Sequence, residues 1–136
     1  MTDLFKSLNH AAAGMRAQGA RMRIIAENVA NSNSTATTPG GLPYRRKLVT
    51  FANELDRELN VKLVRVGDVA YDQSDFGRRF DPGHPAADQD GYVLTPNVQV
   101  LVEMADMREA QRSYQANLQI IRSSRRMLQR TIDILR

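Results

Sequence analysis

The residues best equipped for chemistry lie between Asp81 and Gly91. His84 sits in Asp81-Pro82-Gly83-His84-Pro85-Ala86-Ala87-Asp88, where an imidazole flanked by two carboxylates could begin a metal site. Such a site needs several convergent ligands, and this run brings one histidine inside a stretch rich in Pro and Gly. A rigid turn in which Asp81 and His84 hydrogen-bond the local backbone accounts for the same residues. Asp88-Gln89-Asp90-Gly91 can be tested as a calcium loop. Placing Gly91 at the loop's invariant glycine leaves Ala86 at the first ligand position and Asn97 at the last, so the first carboxylate and the bidentate Glu are both missing. The run reads as a turn within a hairpin. Gly40-Gly41 is too short to cradle a phosphate, and His10, one helical turn beyond Lys6, reads as a surface residue with no nucleophile to serve. No triad or paired-carboxylate arrangement stands out. The expectation is a protein that is not an enzyme, with no metal, no cofactor and no small-molecule substrate.

One charged feature has the right chemistry for binding. Arg122, Arg125, Arg126 and Arg130 crowd a short stretch, in a chain whose net charge of +4 divides as +2 over residues 1–38, −1 over 39–97 and +3 over 98–136. A basic helix of this kind can neutralise phosphates, so a soluble helical hairpin that binds nucleic acid through its last helix is a competing reading. The cluster has no interleaved aromatic residues. A solvated helix face, or ion pairs to Asp68, Asp72, Asp75 and Asp81 of another subunit, explains it better, and no nucleic-acid partner is expected. A helical adaptor or chaperone of a secretion system is a third and weaker possibility.

The elements that would carry these residues follow from punctuation. The 136 residues include five prolines, all between residues 39 and 96, and six of the eight glycines fall in that same middle stretch. Pro and Gly break helices, so the flanks can be long helices and the middle cannot. This gives three segments: an amphipathic helix over 1–33, a Pro/Gly-rich loop with a small β middle over 34–97, and an amphipathic helix over 98–136. The first flank carries the heptad stripe Leu4, Leu8, Ala11, Met15, Gln18, Met22, Ile25, Val29, started by Thr2 or Asp3 and weakened by Gly14 and Gly19. The second carries Val100, Met104, Met107, Gln111, Tyr114, Leu118, Ile121, Arg125, Leu128, Ile132, Leu135, with Thr95 as cap and Pro96 as first helical residue, or Asn97 as a later cap. Val61–Val66 and Gly91–Leu94 read as strands, and Leu48–Leu59 has partial helical spacing and is ambiguous. With 42% hydrophobic and 25% charged residues a core is feasible, and zero cysteines exclude disulfides, Cys-ligated zinc and thiol catalysis. No apolar run is long enough to span a membrane, and basic residues interrupt any secretory h-region near the start.

Stripes this long cannot be covered by one small globule. Leu101, Ile120, Met127 and Ile134 flank them as further apolar positions in need of a partner. The expected fold is therefore mainly α with a small β/loop middle, its long terminal helices pairing as a coiled-coil-like bundle completed by neighbouring subunits.

Asn28-Val29-Ala30-Asn31-Ser32-Asn33, closing the first helix, resembles the signature of bacterial flagellar rod and hook proteins. Further blocks are similar to the proximal-rod branch of that axial family. They are Ser7-Leu8-Asn9 with Ala17-Gln18-Gly19-Ala20-Arg21-Met22, Pro39 to Lys47, Asp81-Pro82-Gly83-His84-Pro85, Gly91-Tyr92-Val93, Pro96-Asn97-Val98, Glu103 to Met107 and Arg112 to Asn117. In the generic pattern Gly-Tyr follows soon after the Asn cluster, whereas Ser34 to Pro43 intervene here before Tyr44. The resemblance implies a structural subunit of the cell-proximal rod, located in the basal body where it crosses the periplasm. It implies export through the flagellar type III apparatus without a cleaved signal, and assembly through terminal helices. The implied partners are copies of itself and other rod proteins, namely proximal-rod neighbours, the distal rod and an export-gate adaptor. Leu8, Met15, Met22, Ile25, Val29, Met107, Tyr114, Leu118, Ile121, Leu128, Ile132 and Leu135 are the expected assembly residues, and Asn28, Asn31 and Asn33 are expected to shape the helix exit.

Overall fold

The computed structural model describes residues 2–57 and 60–135. Its elements are α1 (Thr2–Ala30), β1 (Lys47–Asp56), β2 (Val61–Tyr71), β3 (Gly77–Phe80), β4 (Tyr92–Thr95) and α2 (Val100–Ile134). Two long helices thus flank a small β middle along the chain, as the distribution of Pro and Gly requires. The strands expected around Val61–Val66 and Gly91–Leu94 are the bodies of β2 and β4.

One ambiguous stretch is settled and one local reading is corrected. The ambiguous Leu48–Leu59 stretch forms β1 as far as Asp56, and its last two residues lie outside the described ones. Val49-Thr50-Phe51 suits a pleated surface, and a Val-rich partner strand outweighs the partial helical spacing. The second helix begins at Val100, with the Glu103 N–H bonded to the Gln99 carbonyl at 3.0 Å, rather than at Pro96. Thr95 is already committed to β4 and Asn97 to tertiary hydrogen bonds, so neither caps α2. Asp81 pairs with Arg79 at 3.6 Å, and its carbonyl accepts the His84 N–H at 3.1 Å within the turn.

The chain divides into two compact units, each drawing on both helices. The first comprises residues up to 22, 49–68 and those from 108 onward. Within it, Arg21 meets Glu109 at 3.3 Å and Gly14 abuts Asn117, so the helices run antiparallel here. A Cβ at Gly14 would lie 2.7 Å from Asn117 Nδ2, which is why the residue that weakens α1 is nevertheless placed at this contact. Ala11 and Ala110 are buried in this unit, and small side chains allow two helices to approach closely. Ala13 and Ala17, on another face of α1, are also buried and line with Arg16 a cleft of about 520 Å³ against Glu54–Asp56 of β1 and Leu63–Val66 of β2. β1 and β2 pair antiparallel: Thr50 donates to the Asp68 carbonyl at 2.9 Å, and Arg65 reaches back to Glu54 at 3.1 Å.

The second unit comprises residues 23–48 and 69–107. β3 and β4 pair antiparallel from Gly77↔Thr95 to Phe80↔Tyr92, with Val93 fully buried. The Asp88–Gly91 turn leads into β4. Asp88 Oδ1 accepts the N–H groups of Asp90 and Tyr92, and Gly91 adopts φ +81°, a region that favours glycine. His84 Nδ1 accepts the Ala86 N–H at 3.0 Å, which fixes the tautomer so that Nε2–H donates to Thr35 Oγ1 at 3.1 Å. His84 is a turn residue tying two loops, in keeping with the backbone-bonding reading.

Candidate functional site

Residues scattered along the sequence converge in the second unit on one polar cluster. Asn28, in the last turns of α1, and Glu103, in the first turn of α2, are each 1% exposed and bonded to each other at 3.1 Å. The Asn28 amide satisfies four groups at once. Its nitrogen donates to Glu103 and to the Lys47 carbonyl at 2.9 Å, and its oxygen accepts from the Lys47 N–H and the Tyr44 hydroxyl, each at 2.9 Å. The start of β1 is thereby pinned to the end of α1 by a side chain with the donor and acceptor geometry of a peptide group.

Arg46 neutralises the buried carboxylate. Its Nε bonds Glu103 Oε1 at 2.5 Å, while its terminal nitrogens reach Asp72 at 3.3 Å and Asp106 at 3.8 Å. Burial alone would lower the Arg46 pKa, but hydrogen bonding to Glu103 and the charges of Glu103 and Asp72 raise it above the ordinary value. Lys47, ion-paired with Glu27, is likewise raised, chiefly by that hydrogen bond. Burial pushes the Tyr44 hydroxyl up, helped by Glu27. Asp72 is held below the usual carboxylate range, first by the Ser74 backbone N–H at 2.9 Å, then by the Ser74 side chain and Arg46. Asn97 closes the cluster, accepting the Arg46 N–H at 2.8 Å and donating to the Asp72 and Ser74 carbonyls.

Every charge here has a fixed partner, and no nucleophile–base pair is poised over open space. The cluster can hold geometry. Among the described residues no group of three His, Asp or Glu converges as metal ligands. Sequence reasoning missed Tyr44, Arg46, Asp72, Asn97 and Glu103 as a set. A usable signal existed: Glu103 stands in phase with Met107, Ala110 and Tyr114 at alternating spacings of four and three, so a carboxylate occupies the line that faces inward.

The expected assembly residues occupy both units. Ile25 is buried; Leu8, Met15, Met22, Val29, Met107, Tyr114, Leu118, Ile121 and Leu128 are half-buried; Ile132 and Leu135 are exposed. Asn31 finishes α1, its amide donating to the Glu27 carbonyl at 2.9 Å and its oxygen accepting from Ser34 Oγ, while Asn33 is exposed. In the first unit the inward line of α2 is Ala110, Tyr114, Asn117, Ile121, Ser124 and Leu128, small or polar side chains alternating with larger ones, and Leu118 is half-buried beside it. Gln111 and Arg125, read as seam residues, are exposed. The large apolar side chains Ile120, Met127 and Ile134 stand 43%, 53% and 84% exposed on a separate line. Arg122, Arg125, Arg126 and Arg130 are exposed as well. In the second unit Leu101 and Met104 project from α2 into solvent. Among the described residues no helix is long and apolar enough to cross a membrane.

Comparison with known proteins gives a consistent result. Residues 89–134 match the family described as "Flagellar basal body rod FlgEFG protein C-terminal". Over its full length the chain is 54% identical to the flagellar basal-body rod protein FlgC of Agrobacterium fabrum, covering 98% of that protein. It is 38% identical to the FlgC of Borreliella burgdorferi, with 97% of each chain covered, and 35% identical to that of Bacillus subtilis, with 96% of this chain and 97% of the relative covered.

Proposed function

The chain belongs to the flagellar basal-body rod protein FlgC family and is a structural, non-enzymatic subunit of the flagellar rod; from that premise we propose that it builds the cell-proximal part of the rod, packing its terminal helices against those of neighbouring subunits. The observation that carries this reading is the division of labour on α2. The inward line mixes small and polar residues (Ala110, Asn117, Ser124) with larger ones (Tyr114, Ile121, Leu128), and further large apolar residues such as Ile120 and Met127 face solvent. A desolvated apolar surface contributes roughly 25 cal/mol per Å², so such faces are stable only when something covers them. The assembly residues are Leu8, Met15, Met22, Ile25, Val29, Met107, Tyr114, Leu118, Ile121, Leu128, Ile132 and Leu135, and Asn28, Asn31 and Asn33 set the helix exit. The subunit reaches its place through the flagellar type III export apparatus and joins copies of itself, other proximal-rod proteins, the distal rod and an export-gate adaptor.

The test is an in-frame deletion scored for swimming and for basal bodies under the electron microscope. Non-motile cells with incomplete rods, restored by this gene alone, are the expected result. Normal rods in the deletion strain would overturn the reading.

A further inference from the structure

Within the second unit His84 holds two segments with the two nitrogens of one rigid ring. Nδ1 accepts the Ala86 N–H at 3.0 Å, and Nε2–H donates to Thr35 Oγ1 at 3.1 Å. The first bond belongs to the turn between β3 and β4, where the His84 carbonyl also accepts the Ala87 N–H at 3.0 Å. The second reaches into residues 35–43, the stretch that separates the Asn cluster from Tyr44. Among the described residues it is the only hydrogen bond joining 35–43 to β3, β4 or the turn between them. The other bonds of this stretch are its own. The Ser34 carbonyl accepts the Tyr44 N–H at 2.9 Å across its base, and the Thr38 carbonyl accepts the Gly41 N–H at 3.1 Å near its tip.

The stretch faces the hairpin across a hollow of about 200 Å³, with Ala36, Gly40 and Gly41 on one side and Ala86, Tyr92 and Leu94 on the other. Its seating there depends on the protonation of one ring. A neutral imidazole has one donor and one acceptor, and both are in use. A second proton turns Nδ1 into a donor aimed at the Ala86 N–H, and the ring must swing away. The ring is rigid, so moving Nδ1 off Ala86 also moves Nε2 off Thr35, and the two bonds are lost together. The charged groups around it are already engaged: Asp81 with Arg79 and Asp88 with Arg78. Residues 34–43 carry no ionisable side chain. Between about pH 5 and 8 histidine is the side chain whose charge changes.

We propose that His84 is a proton-operated clasp: the neutral ring seats residues 35–43 on the β3–β4 hairpin, and the imidazolium releases them and opens the hollow to solvent. The device lies within the second unit and stands independently of the rod reading.

The test is nitrogen-15 NMR on the full chain at about pH 8 and about pH 5, the two ends of the histidine range. His10 is the only other histidine, so His10→Gln assigns the ring signals and should leave the response intact. At the higher pH the His84 ring should show a bare Nδ1 and a protonated Nε2, with backbone order parameters of about 0.85 over residues 35–43. At the lower pH both nitrogens should carry protons and the order parameters should fall below about 0.6, with helical circular dichroism unchanged. His84→Asn keeps an oxygen that can accept the Ala86 N–H but is too short to reach Thr35, so 35–43 should be mobile at both pH values. Thr35→Val should give the same mobility from the other end of the bond. Equal order parameters at both pH values, an ordered stretch in His84→Asn, a response abolished by His10→Gln, or a loss of helical signal at the lower pH would each overturn the proposal.

Discussion

Arg46→Met is the sharpest perturbation of the buried cluster. It removes the cation bonded to Glu103, whose side chain is 1% exposed, and leaves that carboxylate with the Asn28 amide as its donor. Deleting one partner of a buried ion pair typically costs about 3–5 kcal/mol, because the charge left behind is neither solvated nor paired. Arg46 itself is 21% exposed, which keeps the expectation in this range rather than above it. Asp72 and Asp106 also lose a partner, but at 25% and 34% exposure they recover water and add little. Against a typical domain stability of about 5–15 kcal/mol, the loss is large.

Urea unfolding followed by circular dichroism measures it, with hydrogen exchange at the Lys47 amide as a local reporter, since that N–H is held by Asn28. Two controls separate burial from charge. The Arg65–Glu54 pair has both partners more than 60% exposed, so Arg65→Met should cost less than about 1 kcal/mol. In the double variant Arg46→Met with Glu103→Met no charge is stranded, and most of the lost stability should return. A loss below about 1 kcal/mol for Arg46→Met, or a double variant as weak as the sum of the singles, would refute the reasoning.

Three further outcomes follow from particular contacts. Gly19→Ala should stabilise the free chain by about 1 kcal/mol through helix propensity, whereas Gly14→Ala must displace the Asn117 amide and should gain measurably less; equal gains in thermal unfolding would contradict the close approach at Gly14. Asp72 and Asp88 have lowered folded pKa values, Asp88 chiefly through the Tyr92 N–H, so their contribution is complete above the unfolded carboxylate value near about 4 and is lost as pH falls through the folded values. Lys47 and Tyr44 are raised, so theirs holds below about 10 and is lost as pH rises through the folded values. Urea midpoints should therefore fall at both extremes, with a shallower acid limb in Asp72→Asn; an unchanged acid limb would count against the Asp72 assignment. Leu118→Asp should abolish rod assembly while the protein is still made, because an unpaired charge in a packed interface is costly; a motile strain carrying it would remove Leu118 from the interface.

The helices were legible because their signals are local. Pro and Gly are confined to the middle, and two long apolar periodicities occupy the ends. The polar cluster was not legible as a cluster, because nothing in the spacing of Asn28, Arg46, Asp72 and Glu103 shows that they meet. Each of the four is an ordinary surface residue by type. Only their burial makes them costly to leave unpaired, and burial is a property of the folded chain. The start of α2 was misplaced for a related reason. Asn97 is a good cap by type, and it is drawn off by the backbone of Arg46 and Asp72, partners distant in sequence.

The phase of α2 is the most instructive error. Reading apolar residues alone puts Met104, Gln111, Leu118 and Arg125 on the seam with Met107, Tyr114, Ile121 and Leu128. The structure keeps the second set, buries Glu103, Ala110 and Ser124 in place of Met104, Gln111 and Arg125, and leaves Leu118 half-buried beside Asn117. A period search assigns the inward face to the largest apolar side chains, which is sound when a helix has one partner. Here small and polar residues share the inward face with the larger ones, and Gly14 against Asn117 shows how closely the helices of the first unit approach. The large apolar residues are then free to serve other surfaces. The apolar residues of α2 exceed what its inward face uses, and that excess is written in the order of the residues themselves.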